Sequence, residues 1–223
     1  MHEKSSFFLI LFILAVCSCE SNHQCTETVT DSDGNVYKIV QMNSRCWMAE
    51  NLRTSRYANG DPIPNVVDDD AWISLQSGAW SFYNNDSTYM DPYGKLYNWY
   101  AVDDSRGICP NGWRVPADEE WTNLVSSLGD NAAGKLKEVG LDYWNHPNQG
   151  ANNETGFSAL PTGYRGSAGY FILNQVYGYI WSSTEHIEHP ERAWRRGMMF
   201  SSEQVVRFTS PKILGFSVRC IQE

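Results

Sequence analysis

The hydrophobic and polar positions divide the chain into hairpin-like ends and a helical middle. Thr28-Val-Thr-Asp-Ser-Asp-Gly-Asn-Val-Tyr-Lys-Ile-Val40 predicts a hairpin, with Asp33-Gly34 supplying the positive-φ turn between β-branched and aromatic flanks. Asp31, Asp33 and Asn35 imitate the start of a calcium-binding loop. Val36 and Met42, however, stand where such a loop needs Gly and Glu, so the segment is read as a turn. Cys46-Trp-Met-Ala-Glu-Asn-Leu52 is strand-like. Asp68-Asp69-Asp70 is expected to open a short helical turn as a solvated cap.

The clearest helix follows Pro116. Trp121, Leu124, Val125 and Leu128 make one apolar stripe at i, i+3, i+4 and i+7, and Gly129 is placed to end it. Ala117 stands where a capping hydroxyl belongs, which leaves Asp118 as the expected cap. A second short helix is predicted over 131–139, ending at Gly140. Beyond Phe157 the pattern becomes short aromatic and β-branched runs. Tyr170–Leu173, Tyr177–Ser182, Trp194–Phe200, Val205–Thr209 and Phe216–Ile221 are the strand candidates. Neither a fixed-period repeat nor a Pro/Gly/Ser linker interrupts them. The expected fold class is α+β, in one domain spanning residues 28–223.

Composition adds an aromatic excess: nine Trp, twelve Tyr and nine Phe among 223 residues. A core that rich needs no metal or haem to fold, and no cofactor is expected. The 17 basic residues against 26 acidic ones give a net charge of −9, which excludes a general nucleic-acid binder.

The N-terminal residues address the chain to a membrane. The apolar stretch from Phe7 to Val16 is too short to span a bilayer and matches a signal-peptide core. Cys17-Ser18-Cys19 follows and resembles a bacterial lipobox. Ser18 before Cys19 fits that pattern better than Val16 before Cys17. The reading is a lipoprotein signal peptide over 1–18, lipidation at Cys19 and a short tether over 19–27. Export then makes Cys25, Cys46, Cys109 and Cys220 candidates for two disulfides, with all three pairings open.

A collinear set of motifs covers nearly all of the remaining chain. It runs from Asp33-Gly34-Asn35-Val36-Tyr37 through Trp47-Met-Ala-Glu-Asn-Leu52, Tyr93-Gly94 and Leu96-Tyr97-Asn98-Trp99. Cys109-Pro-Asn-Gly-Trp-Arg-Val-Pro116 and Asn153-Glu-Thr-Gly-Phe-Ser-Ala-Leu-Pro161 come next, then Trp181-Ser-Ser-Thr184 and Gly215-Phe-Ser-Val-Arg-Cys220. This series resembles the Fibrobacter succinogenes major paralogous domain, a module of exported and lipid-anchored bacterial proteins. That family is in turn similar to the C-type-lectin-like fold of formylglycine-generating and sulfatase-modifying proteins, as Trp113-Arg-Val-Pro-Ala-Asp-Glu-Glu-Trp121 suggests. The resemblance implies a twisted antiparallel sheet, one or two helices and long loops. It brings no established reaction.

The enzyme alternative is a metal-dependent oxidase of the formylglycine-generating kind, which needs a thiol pair for copper. Cys109 and Cys220 stand where buried disulfides are commoner. His186-Ile-Glu-His189 has a metal-like spacing but lies in a polar loop before Pro190. Glu119 and Glu120, adjacent on a helix, point about 100° apart and do not converge as an acid/base pair. No nucleophile elbow, phosphate-cradling loop or dinucleotide fingerprint is present. The expectation is therefore a non-enzymatic, lipid-anchored envelope protein that binds glycans or envelope partners, with a purely structural surface lipoprotein as the other alternative. Trp47, Trp99, Trp113, Trp121 and Trp181 are assigned to the framework. The ligand candidates are Trp80, Trp144, Asn148, Tyr164 and Arg165, with Trp72 as a further loop ring.

Overall fold

The computed structural model describes residues 25–223. The expected leader over 1–18 and the lipidation residue Cys19 lie outside the described residues. In chain order the strands are β1 (Thr28–Thr30), β2 (Val36–Met42), β3 (Arg45–Met48), β4 (Trp80–Ser81), β5 (Leu96–Tyr97) and β6 (Trp113–Arg114). They continue with β7 (Tyr164–Arg165), β8 (Phe171–Ile172), β9 (Tyr177–Glu185), β10 (Arg192–Met199), β11 (Val206–Pro211) and β12 (Ile221–Gln222). The larger sheet has the order β1-β2-β3-β12-β6, and β11-β10-β9 form a second sheet. Two short ribbons, β4-β5 and β7-β8, complete an α+β fold with antiparallel ladders and few helices.

The first hairpin forms where the alternation predicts it, with Thr28 opposite Lys38 and Thr30 opposite Val36. Its turn explains the calcium-loop mimicry. The Asp31 carboxylate accepts the backbone N–H groups of Asp33 and Asn35, each at 2.9 Å, and the Tyr37 hydroxyl at 2.5 Å. Those oxygens are spent on the chain's own turn.

The predicted helix spans Asp118–Leu128 and turns Trp121 and Leu124 into the core. Its cap differs from expectation. Ala117 occupies the cap position with extended backbone, and its N–H is satisfied by the Glu120 carboxylate at 2.9 Å. Asp118 is instead the first helical residue, turned inward by Arg196 at 2.8 Å and Arg207 at 2.7 Å. Two guanidiniums outcompete the capping role. The second helix covers only Ala132–Leu136, capped by Asn131, because Lys137 leaves it in an extended conformation. At Asp68 the expectation holds, since its side chain caps the helix Asp69–Ile73.

Tyr177–Ser182, Trp194–Phe200 and Val205–Thr209 become β9, β10 and β11, while only Phe171–Ile172 of the 170–173 run is strand. The run Phe216–Ile221 departs from expectation, because strand geometry is confined to its end, at β12. It threads through the middle of the molecule, with Phe216 and Val218 through Ile221 buried. Its backbone bonds are shared out: Phe216 exchanges with Tyr97, Ser217 with Tyr179 and Trp181, Val218 O accepts from Leu52, and Cys220 O from Met48. A segment surrounded on all sides satisfies its peptide groups with several neighbours rather than one ladder.

Of the three disulfide pairings, the structure has Cys25–Cys46 and Cys109–Cys220. The second lies in a core with Trp99, Trp181, Tyr97 and Phe216. Another core joins Trp47, Trp121, Phe157 and Trp144, with the Trp47 and Trp121 rings edge-on at 4.9 Å. All five framework tryptophans are buried.

Long loops leave many carbonyls without ladder partners, and buried cations collect them. The Lys137 ammonium donates to the carbonyls of Gln149, Met199 and Ser202 at 2.9, 3.1 and 3.0 Å. Arg165 donates to the carbonyls of Gly169, Val66 and Val67 and to the Asp69 carboxylate, between the rings of Trp72 and Phe171. Arg219 performs the same service for the loops around the candidate site.

Candidate functional site

A cleft of about 390 Å³ opens between the end of β3, the Asp91–Pro92 turn and the 138–160 loops. Its floor is Arg219, fully buried. The guanidinium donates to Asn51 Oδ1 at 2.8 Å, to the Ala49 carbonyl at 2.9 Å, to the Ser158 carbonyl at 2.9 Å and to the Phe157 carbonyl. It also lies 4.0 Å from the centre of the Phe157 ring. Burial pushes its pKa down to about 9, against the opposing charges of Glu50 and Glu138.

Asn51 carries that anchorage on to the neighbouring loops. Its amide nitrogen donates to the Tyr93 carbonyl at 2.9 Å and to the Thr162 and Ser217 hydroxyls at 3.2 and 3.3 Å. Gly94 passes so close that an added Cβ would sit 2.9 Å from the Asn51 Cβ, and its φ of +76° suits glycine. This contact holds Tyr93 beside the cleft. The Tyr93 and Tyr143 rings meet edge-on with centroids 5.8 Å apart. The row continues through Tyr89 at 5.7 Å, Tyr83 at 5.3 Å and Phe171 at 5.5 Å. Tyr89, Tyr93 and Tyr143 are half-buried, and burial raises the Tyr93 phenol above its ordinary pKa.

Charge in the cleft is balanced. Glu50, Asp91 and Glu138 stand with Lys38, Arg53 and Arg219. Glu50 pairs with Arg53 at 3.7 Å and accepts the Lys38 backbone N–H at 3.3 Å, while Glu138 accepts from the Asn153 amide at 3.2 Å. The Asp91 carboxylate and the Lys38 ammonium have no ion-pair partner among the described residues. A polar cleft with compensating charges and one tyrosine ring in its lining suits a hydroxyl-rich, uncharged ligand, because a strongly charged one would meet like charge on some side.

The residues picked from sequence lie elsewhere. Trp80 and Trp144 are buried, with their indole N–H groups on the carbonyls of Ile63 at 2.9 Å and Ala159 at 3.0 Å. Arg165 is buried in its carbonyl cage, and Trp72 packs beneath it. These four form framework, not platforms, because each polar tip has an internal use or no route to solvent. Tyr164 is half-buried against Tyr179 and Phe216. Asn148, also buried, comes nearest: its amide donates to the carbonyls of Glu138 and Gly140, each at 2.9 Å, and so shapes the loop that presents Glu138. Sequence reasoning missed Asn51, Tyr93 and Tyr143. Tyr143 adjoins Trp144, and the sequence offers no signal for which of the two rings turns outward.

His186 is consumed as a turn acceptor, its Nδ1 receiving the backbone N–H groups of Glu188 and His189 at 3.3 and 3.2 Å. Glu120 forms a two-point ion pair with Arg114, at 2.6 and 2.7 Å, which holds its carboxyl below the usual range. Among the described residues no group of three or more His, Cys, Asp or Glu side chains is placed to hold a metal ion.

Residues 40–222 match the family described as the Fibrobacter succinogenes major domain. The chain belongs to that family. No curated protein and no solved structure matches it. The matched span of this Fibrobacter succinogenes major domain begins in β2 and ends in β12. It holds every cleft residue except Lys38, and both partners of the Cys109–Cys220 disulfide. Cys25 precedes it, so the Cys25–Cys46 disulfide fastens the leading segment onto the domain.

Proposed function

We propose that the chain is an exported, cell-envelope protein anchored through lipid on Cys19, whose domain is a non-catalytic module that binds an uncharged saccharide in the Arg219–Tyr143 cleft. The observation that carries this reading is the charge-balanced polar cleft lined by the half-buried ring of Tyr143, against which the Tyr93 ring packs edge-on. Sugars present hydroxyls to polar side chains and flat C–H faces to rings, and the cleft offers both. Two disulfides are compatible with a secreted surface protein. Antiparallel curled sheets with few helices are compatible with the lectin-like kinship, which is part of this proposal. A copper oxidase needs free thiols, and all four described cysteines are cross-linked, which favours binding over catalysis.

The proposal is tested by exposing the folded chain to a glycan array and to peptidoglycan. Binding to neutral saccharides that Tyr143→Ala abolishes supports it, and silence from folded protein overturns it. Acyl labelling that disappears in Cys19→Ala supports the anchor, and labelling that survives there but is lost in Cys17→Ala overturns the choice of residue. One observation favours a protein partner instead: Tyr170 is 67% exposed and Ile172 39% on the β7-β8 ribbon. Co-extraction of a stoichiometric envelope protein, lost in Tyr170→Ser, would carry that second reading.

A further inference from the structure

A second concavity, about 140 Å³, lies on the β11-β10-β9 sheet and shares no residue with the cleft. Tyr177, Tyr179, Met199, Val206 and Phe208 give it apolar walls, and Ser202 and Gln204 stand at its edge. Tyr177 and Tyr179 are stacked, 5.0 Å apart and 18° from parallel. Gly197 makes the room for them, since a Cβ there would lie 2.7 Å from the Tyr179 ring.

Arg195 is the one charged residue lining this groove. Its guanidinium lies 3.9 Å from the centre of the Tyr179 ring and 5.7 Å from that of Phe208. Nε donates to the Ser210 hydroxyl at 2.8 Å, but the buried Nη1 makes no hydrogen bond. Among the described residues no carboxylate lies within 4 Å of it, in a chain with 26 acidic residues. Eight other arginines have such a partner. A half-buried guanidinium without a counter-charge is costly unless a ligand supplies one, and a carboxylate in the groove would supply it through a charge-assisted contact. The flat tyrosine and phenylalanine faces beside it fit the C–H face of a ring, and Ser202 and Gln204 fit ring hydroxyls.

We infer that this groove is a second binding site, for a sugar ring that carries a carboxylate, such as a uronic acid unit of an acidic polysaccharide. It does not depend on the cleft reading. The test is a titration of the mature chain, followed by NMR shifts of the Gly197 and Val206 amides. The probes are a galacturonic acid trimer, its methyl ester and benzoate. The acid trimer is expected to shift those amides and its ester not. Arg195→Gln should weaken binding about tenfold or more, as expected for loss of a charge-assisted contact. Tyr143→Ala should leave it unchanged. Phe208→Ala, at an exposed position, should weaken it as well and serves if Arg195→Gln does not fold. Equal binding of acid and ester, full affinity in a folded Arg195→Gln, or no shift with the trimer overturns the site. Binding of benzoate alone overturns its assignment to a sugar.

Discussion

Arg219 Nε donates to Asn51 Oδ1 at 2.8 Å across 168 residues of chain. Through that bond the closing segment of the domain fixes both the floor of the cleft and, by way of the Asn51 amide, the backbone of Tyr93, whose ring packs on the cleft residue Tyr143. Arg219→Met keeps the volume of the stem but leaves the carbonyls of Ala49, Phe157 and Ser158 and the Asn51 oxygen without their donor. Unsatisfied buried acceptors cost about 1–3 kcal/mol each, so a loss of about 3 kcal/mol or more is expected. Urea denaturation measures it. A loss below about 1 kcal/mol, the scale of a surface change, contradicts the anchoring role.

The two disulfides differ in the loop they close. Cys109–Cys220 spans 111 residues and Cys25–Cys46 spans 21. Loop-closure entropy is worth about 4.7 kcal/mol for a loop near 100 residues and about 3 kcal/mol for one near 15. The Cys109→Ala/Cys220→Ala double variant also empties core volume, whereas Cys25 lies at the margin of that core. Unfolding midpoints should fall further for the 109/220 variant than for Cys25→Ala/Cys46→Ala. The reverse ranking contradicts this view of the framework.

Stability should also depend on alkaline pH with a definite sign. Burial pushes the amines of Lys95 and Lys137 down to about 8 from an ordinary 10.5. Between those values the unfolded chain holds more protons at both sites than the folded one, so their contribution to stability rises with pH. Burial pushes the phenols of Tyr57 and Tyr179 up to about 12 from 10, which makes the folded state the better proton holder above pH 10. Their contribution is lost there as pH rises. Thermal melts across pH 7–12 should therefore climb beyond pH 8 and turn down past pH 10, with a smaller climb in Lys137→Met. A monotonic fall from pH 7 contradicts the assignment.

What the sequence disclosed follows from where each element gets its partners. The helix Asp118–Leu128 was legible because its stripe needs only one long period, and the 28–40 hairpin because its turn is local. The segment 216–221 looked like a strand because a fully surrounded run is apolar throughout, whichever way its hydrogen bonds go. Asp118 was misjudged as a cap because Arg196 and Arg207 are 78 and 89 residues away. Four cysteines leave three pairings until the fold brings two of them together. The cleft stayed hidden for a similar reason: Asn51, Glu138 and Tyr143 come from separate loops, and Arg219, which bonds Asn51 at the cleft floor, reads as part of an ordinary closing strand.

The central claim is that the Arg219–Tyr143 cleft, and not the buried tryptophans, receives the ligand. Its most direct test is the affinity of a neutral oligosaccharide, chosen from the array, for the wild-type chain and for Tyr143→Ala. Loss of a stacking ring should weaken binding about tenfold or more, with the melting temperature nearly unchanged because Tyr143 is half-buried at the rim. Unaltered affinity in a folded Tyr143→Ala chain would contradict the account.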